Sequence, residues 1–243
     1  MRKLSSVIII LSALAAGVEA GAAPSATVGL VHVDATDADT YYNYLAALPV
    51  FRYADGATLA ASPLRTDAAA ITPAADEDSA PGATLWAVGG PDPETLDAAL
   101  TDWGIDRGRV VEIKGDVFAV ASGLALNWLE AREVVVAPYV PDGDAKAALS
   151  ASYAAALAAS LNAPLLYTYT GRTPDATVAA LRRLGVRQVY VVDFADALDD
   201  NVLRTLGANG RYEPLRLTTT AAVDELAHAR LRQAKAKSGV AAI

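Results

Sequence analysis

Short runs of β-branched residues alternate with longer alanine- and leucine-rich segments along almost the whole chain, and this alternation constrains the fold more than any other feature. Such alternation is the pattern of strand-helix units that build a parallel sheet. Several short runs are apolar throughout, as expected of strands that helices cover on both faces. We therefore predict an α/β fold of repeated strand-helix units with parallel sheets, Rossmann-like or toprim-like.

Eight runs have the character of strands, at residues 28–33, 58–61, 84–88, 110–113, 133–137, 164–168, 188–192 and 212–217. Six segments carry apolar residues at helical spacing, at 93–103, 117–129, 145–161, 174–184, 198–206 and 221–237. The fourth helix has signals at both ends: Thr173 is a capping residue, Pro174 suits the first helical position, and Gly185 suits a left-handed end.

The amino terminus has the three parts of a signal peptide. Arg2 and Lys3 precede an apolar run at residues 7–16, and small residues follow at 18–23. The apolar run is shorter than the roughly 20 residues that span a bilayer, and no other run of spanning length follows it. We predict a signal peptide at residues 1–22, cleaved after Ala20 or Ala22, and a secreted, cell-surface protein without a stable membrane span.

The charge and the rare residue types exclude several classes of protein. The formal net charge is -8, and loss of residues 1–22 would remove two positive charges and one negative charge, leaving -9. An acidic chain is a poor partner for nucleic acid. The absence of cysteine excludes disulfides and thiolate metal sites, and the two histidines, His32 and His228, are far apart in sequence. Stability must therefore come from an apolar core.

The strand-helix pattern repeats within the chain. Residues 85–90 form a strand with a glycine pair, and a helix, a strand and a second helix follow up to residue 129. Residues 189–194 begin the same succession in the second half. We predict two related modules in tandem, a divergent first module at 23–115 and a second at 116–243.

The repeat resembles the cell-wall-binding repeat type 2 family of bacterial and archaeal surface proteins, over most of residues 83–217. Gly89 and Gly90 look like the glycine pair that ends the family's valine-rich strand. The family's central stretch is matched by residues 134–137, 144–145, 154–168 and 181–192. The family usually carries three modules, and we count two. The resemblance implies parallel-sheet modules that attach to an anionic wall polymer or join a surface layer, without catalysis.

The candidate ligand contacts are the glycine pair and a group of arginines. Gly89 and Gly90 follow a strand and precede a helix, where backbone amides can meet a phosphate or a sugar. A tight turn is the alternative explanation, because no phosphate-loop motif accompanies the pair. Cationic residues concentrate in the second module, and the candidates for polymer binding there are Arg172, Arg182, Arg183 and Arg187.

Two further groups are candidates for assembly. Aspartates recur just after strands, where divalent ions can join carboxylates from two surfaces, and calcium is the cation we expect if one binds. These aspartates are Asp142, Asp144, Asp196 and Asp199. Tyr41, Tyr42 and Tyr44 are dense for a chain with 7% aromatic residues. They suit subunit contacts or the core, and we expect Tyr41 or Tyr42 to be exposed, because adjacent residues on a helix do not face the same way.

Three functions follow in order of preference. The first is a non-enzymatic exported envelope protein that binds a wall polymer or forms part of a surface layer. The second is a self-assembling subunit of an extracellular filament or sheath. The third is an exported α/β enzyme or a receptor for a sugar or nucleotide, which lacks support because the chain carries no Gly-x-Ser-x-Gly elbow.

Overall fold

A computed structural model describes residues 7–13, 27–33, 37–50, 84–128, 130–143 and 145–238. Within these ranges the chain forms two four-stranded sheets with helices packed on them. The predicted α/β class with parallel sheets is thereby confirmed. None of the helices in the described part of the chain is long and apolar enough to cross a membrane.

The first sheet has the strand order β1-β2-β3-β4. β2, β3 and β4 are parallel, and β1 pairs antiparallel with β2 at the edge. The elements of this half are β1 (Val7–Ala13), β2 (Thr27–Val33), α1 (Ala38–Ala47), β3 (Thr84–Val88), α2 (Pro93–Trp103) and β4 (Val110–Ile113).

The second sheet has the order β6-β5-β7-β8 and is parallel throughout. The chain leaves β5 towards β6 and returns to the other side of β5, so β5 and β7 are neighbours although β6 separates them in sequence. The elements are α3 (Val117–Leu124), β5 (Glu133–Pro138), α4 (Ala145–Leu161), β6 (Leu165–Thr168), α5 (Asp175–Leu184), β7 (Gln188–Val192), α6 (Asp200–Asn209), β8 (Leu215–Leu217) and α7 (Thr220–Ser238).

Most predicted elements agree with the structure to within two residues. The helix predicted at 117–129 ends as α3 at Leu124 and is followed by a short 3-10 helix up to Asn127, and α6 ends three residues beyond the predicted position 206. Two differences are larger. α1 was not among the predicted helices, and the last predicted strand, 212–217, is only three residues long. The strand is short because Pro214 has no backbone N–H to donate to the ladder. The strand predicted at 58–61 lies outside the described residues.

The apolar run of the predicted signal peptide coincides with β1. Its backbone pairs with β2 over seven residues, from Val7 opposite Val33 to Ala13 opposite Thr27. Cleavage after Ala20 or Ala22 stays a prediction about processing.

Helix ends follow the capping residues, with one correction. Asp92 and Asp116 each accept a hydrogen bond from a backbone N–H three residues later, at the starts of α2 and α3. Gly185 ends α5 in the left-handed conformation, as predicted (φ 65°). The expectation that Thr173 caps this helix is wrong, because α5 begins one residue later with Pro174 as its N-cap, and the buried hydroxyl of Thr173 has no hydrogen-bond partner.

One apolar core reaches both sheets. It contains Val31 and Val88 of the first sheet together with Val135 and Val191 of the second. Helices α1 and α3 lie between the sheets: α1 contacts β2, α3, α4 and β6, and α3 contacts β4, β6 and α5. The predicted module boundary at residue 115 falls in the connection between β4 and α3.

Candidate functional site

The amino ends of β5 and β7 form a shallow groove. Gln188 pairs with Glu133 at the start of the two strands, and the carbonyl of Arg132 accepts hydrogen bonds from the N–H groups of Arg187 and Gln188, both at 2.9 Å. The segment before β5 therefore lies beside the loop between α5 and β7. Together they line a concavity of ≈ 290 Å³, whose lining residues are Glu130, Arg132, Arg183, Leu184, Gly185 and Arg187.

Arg183 forms one wall of the groove and is held by two backbone carbonyls. Its guanidinium donates to the carbonyl of Ala125 at 2.7 Å and to that of Trp128 at 3.3 Å. These carbonyls belong to the turn that ends α3, where a positive charge complements unpaired C=O groups. Arg183 thus joins the turn to α5 and keeps its charge at the groove.

Arg132 and Arg187 are exposed, and few acidic side chains lie near them. Within the described residues, neither takes part in an ion pair. Arg211, which is also exposed, lies beside Arg187, because its backbone N–H donates to the carbonyl of Arg187 at 2.9 Å. Glu130 is the one acid in the lining of the groove. The groove is therefore a local positive region on an acidic chain.

The structure does not bring all the predicted arginines together. Arg183 and Arg187 line the groove, whereas Arg182 turns to α6, where its Nε donates to Asn209 Oδ1 at 2.8 Å. Arg172 lies after β6, at the opposite edge of the sheet, and its guanidinium stacks 4.7 Å from the ring centre of Tyr169. Arg132, which the prediction did not include, lines the groove together with Arg183 and Arg187.

Gly89 and Gly90 form a tight turn at the carboxyl end of β3, in the other sheet. Both have positive φ values, 79° and 71°, which side chains rarely adopt. A Cβ on Gly89 would lie 3.0 Å from Nδ2 of the buried Asn43. Asp92 already caps the helix that follows, by accepting from Thr95 N at 2.9 Å. The turn geometry explains the glycine pair, and its predicted ligand contact stays a prediction.

The predicted calcium ligands do not converge on one centre. Asp142 lies in an exposed turn, Asp199 is the N-cap residue of α6, and the exposed Asp196 pairs with Arg216 at 2.7 Å. Asp144 lies outside the described residues. No three His, Cys, Asp or Glu residues of the described ranges are close enough to hold a metal ion. A cation bound between two copies stays a prediction.

Asp193 is a further aspartate that directly follows a strand, and its hydrogen bonds lie within the chain. Its side chain is fully buried directly after β7. One oxygen accepts from Ala197 N, and the other accepts from Leu198 N and from Arg216 at 2.5 Å. Asp193 therefore fixes the loop between β7 and α6.

The tyrosines of α1 join the two halves of the chain. The hydroxyl of Tyr42 lies 3.3 Å from Val140 N and 3.4 Å from Val140 O, just after β5, and the hydroxyl of Tyr41 bonds Ser152 of α4 at 2.7 Å. Tyr167 donates its hydroxyl proton to the carbonyl of Tyr42 at 2.8 Å. We call this set, with Tyr139, the tyrosine joint. Tyr139 donates to Asp39 and packs on Tyr42, with ring centres 4.9 Å apart.

The expectation that Tyr41 or Tyr42 is exposed is wrong. Tyr42 is 3% exposed and Tyr41 is half-buried. The reason is that α1 is covered on more than one side, so adjacent residues can both find cover. Tyr44 is also half-buried and packs against the core. All three rings make contacts within the chain, and their role between subunits stays a prediction.

Burial in the tyrosine joint changes the acidity of its hydroxyls. Desolvation raises the pKa of Tyr42 and, more strongly, that of the fully buried Tyr167. The pKa of Tyr139 is also raised, by burial and by its hydrogen bond to the Asp39 carboxylate. These phenols are donors that must stay protonated in the folded chain.

A second polar network joins α7 to β5 and β7 of the second sheet. Tyr190 donates to Glu133 Oε1 at 2.9 Å, and Arg230 of α7 pairs with the same oxygen. The pKa of Tyr190 is raised, chiefly by burial, and that of Arg230 is raised by its hydrogen bond to Tyr190. Within the described residues, Glu133 forms its ion pair with Arg230 and none with the arginines of the groove.

The chain was compared with known proteins. No family model matches it, and no curated protein is significantly similar to it.

Proposed function

We propose that this chain is an exported, non-enzymatic protein of the cell envelope that attaches to an anionic wall polymer. The observation that carries the proposal is the basic groove at the amino edge of the second sheet. It concentrates Arg132, Arg183 and Arg187, with Arg211 beside them, on a chain whose net charge is -8.

Arginine is suited to this task. Its planar guanidinium presents paired donors that match phosphate and carboxylate, and it stays charged at any physiological pH. A shallow, open groove fits a polymer that passes across the surface better than it fits a small molecule, which usually occupies an enclosed pocket. The resemblance to the cell-wall-binding repeat supports the same class of ligand.

The carboxyl ends of the strands in the second sheet favour a structural role over catalysis. In open α/β sheets, ligands usually bind at the carboxyl ends of the strands, where the strand order reverses. In this chain the reversal lies between β5 and β7, and the hydroxyl of Tyr42 contacts the backbone of Val140 there. The tyrosine joint thus covers part of the place where such sheets usually bind a ligand, and its contacts there hold the two sheets together.

The test measures binding to polygalacturonate and to inorganic polyphosphate by titration calorimetry. Replacing Arg132 and Arg187 together by Gln should weaken binding by at least about 100-fold, because two charged hydrogen bonds of about 1.5–3 kcal/mol each contribute about 3 kcal/mol or more. Wild-type affinity should fall as salt is added. The matched control replaces Arg204 and Arg232, which are exposed on α6 and α7, and should change affinity less than threefold.

Equal losses in the two double variants would contradict the proposal, since general charge and not the groove would then govern binding. Light scattering on the free chain reports the alternative function, self-assembly. Ordered large species without any added polymer would favour that alternative over attachment.

A further inference from the structure

An exposed tyrosine borders the basic groove. Tyr212 is 54% exposed, and its backbone N–H donates to the carbonyl of Arg187 at 2.9 Å. The N–H of the preceding Arg211 donates to the same carbonyl. Tyr212 therefore lies on the segment next to Arg187, about 5 Å away, the usual spacing of neighbouring strands.

This position sets Tyr212 apart from the other tyrosines of the described ranges, all of which are buried or half-buried. Several of them belong to the tyrosine joint, and others pack on Phe118, Phe194 or Glu133. The ring of Tyr212 fills no such internal place. Leu215, at the start of the edge strand β8, is 47% exposed and extends the apolar surface beside it.

The segment that carries Tyr212 is held firmly. The two hydrogen bonds to Arg187 tie it to the start of β7, and the side-chain amide of Gln188 donates to the carbonyl of Glu213 at 3.2 Å. Pro214 follows and restricts the backbone further. The ring is thus presented from a fixed backbone, which lowers the entropy that binding would have to overcome.

Aromatic rings and guanidinium groups together define a ligand class. A tyrosine ring offers a flat apolar face with a polar tip, which suits the C–H face of a sugar ring and its hydroxyls. Guanidinium groups bind phosphate or carboxylate. A bare polyanion would use the arginines alone, and a neutral glycan would use the ring alone.

We propose that the groove takes an anionic glycan, in which Arg132, Arg187 and Arg211 bind phosphate or carboxylate groups while Tyr212 stacks on a neighbouring sugar ring. The inference rests on the proposed function and makes it more specific. Tyr212 is then the residue that distinguishes a charged sugar polymer from a polymer that is merely charged.

The experiment titrates the full chain with four probes: inorganic polyphosphate, a phosphomannan, polygalacturonate and neutral mannan. Tyr212→Ala should weaken binding of the charged glycans about tenfold and leave polyphosphate binding unchanged within twofold. Tyr212→Phe, which keeps the ring, should retain wild-type affinity. Leu149→Ala, which shortens an exposed apolar side chain of α4 outside the lining of the groove, is the control and should leave every affinity unchanged within about twofold. Whichever charged glycan binds identifies phosphate or carboxylate as the charge.

Failure of this inference can be told from failure of the proposed function. If the wild type binds none of the charged probes, the proposed function fails. If the wild type binds them but Tyr212→Ala weakens none of them, or weakens polyphosphate equally, only the sugar contact is wrong. An equal loss in Tyr212→Phe overturns stacking in favour of a hydroxyl contact, and wild-type binding of neutral mannan at equal strength overturns the need for charge.

Discussion

At the scale of single residues, two aspartates of one loop show how burial determines what a charged side chain contributes to the free energy of unfolding. Asp193 and Asp196 both pair with Arg216. The side chain of Asp193 is fully buried and accepts two backbone N–H groups, whereas that of Asp196 is 79% exposed. A buried ion whose partner is removed loses both hydration and pairing, while an exposed ion keeps its hydration.

Asp193→Asn should therefore destabilise the chain by about 2–4 kcal/mol, because the amide cannot replace the charge and turns a donor towards backbone N–H groups. Asp196→Asn, the matched control, should cost less than about 1 kcal/mol. Urea unfolding followed by circular dichroism measures both free energies of unfolding. Similar costs for the two variants would show that the buried carboxylate does not hold the loop.

The groove shows which residue contacts the sequence can predict. Arg183 and Arg187 are close in sequence, and their concentration in the second module is visible there. Arg132 reaches them only because β5 and β7 are neighbours, an arrangement that depends on the sheet order. The carbonyl partners of Arg183 were equally hidden, since the backbone C=O groups at the end of a turn leave no signal in the side-chain sequence.

At the scale of elements, the sequence predicts helices and strands well where one face is covered in a regular way. β3, β4, α2 and α4 have the predicted bounds. α1 escaped prediction because its tyrosines occupy more than one face, and a helix packed on several sides shows no single apolar stripe. The same crowding explains why α1 can join two sheets.

The tyrosine joint predicts instability at alkaline pH. The pKa values of Tyr42, Tyr139 and Tyr167 are raised in the folded chain above the ordinary value of 10.0. The folded chain therefore keeps protons that the unfolded chain releases, so stability is intact below about pH 10 and falls as pH rises above it. Tyrosinate absorbance and circular dichroism, measured together, should change in one cooperative step.

Replacing Tyr42 and Tyr167 together by Phe removes two of the phenol protons that the folded chain retains. The free energy of unfolding should then depend less on pH above 10. The variant should also be less stable than the wild type, because the hydrogen bonds of the two hydroxyls are lost. Tyr212→Phe, outside the joint, should leave the dependence at the value of the wild type. Tyrosinate formation by the wild type without loss of circular dichroism would show that the buried phenols do not control alkaline unfolding.

At the scale of the whole molecule, the two sheets share the larger of two apolar clusters. The larger apolar core includes Val88 of β3 and Val135 of β5, and α1 and α3 occupy the space between the sheets. A smaller cluster lies between β3 and α2 within the first half. Two sheets joined this way bury surface that each would otherwise expose, so neither half is expected to be stable alone.

We therefore predict that the two sheets unfold in one transition. Trp86 of β3 reports on the first sheet, and Trp128, whose indole N–H donates to Asn162 O at 3.0 Å, reports on the second. Single-tryptophan variants retaining one or the other should give the same urea midpoint by fluorescence.

Tyr42→Ala should lower the free energy of unfolding by about 3–5 kcal/mol and separate the midpoints, because it removes the ring that joins the two sheets. Tyr153→Ala removes a ring of α4 that packs on Phe194 in the same half of the chain. This variant should lower stability without separating the midpoints. Separate midpoints already in the wild type would mean that the shared core does not couple the sheets.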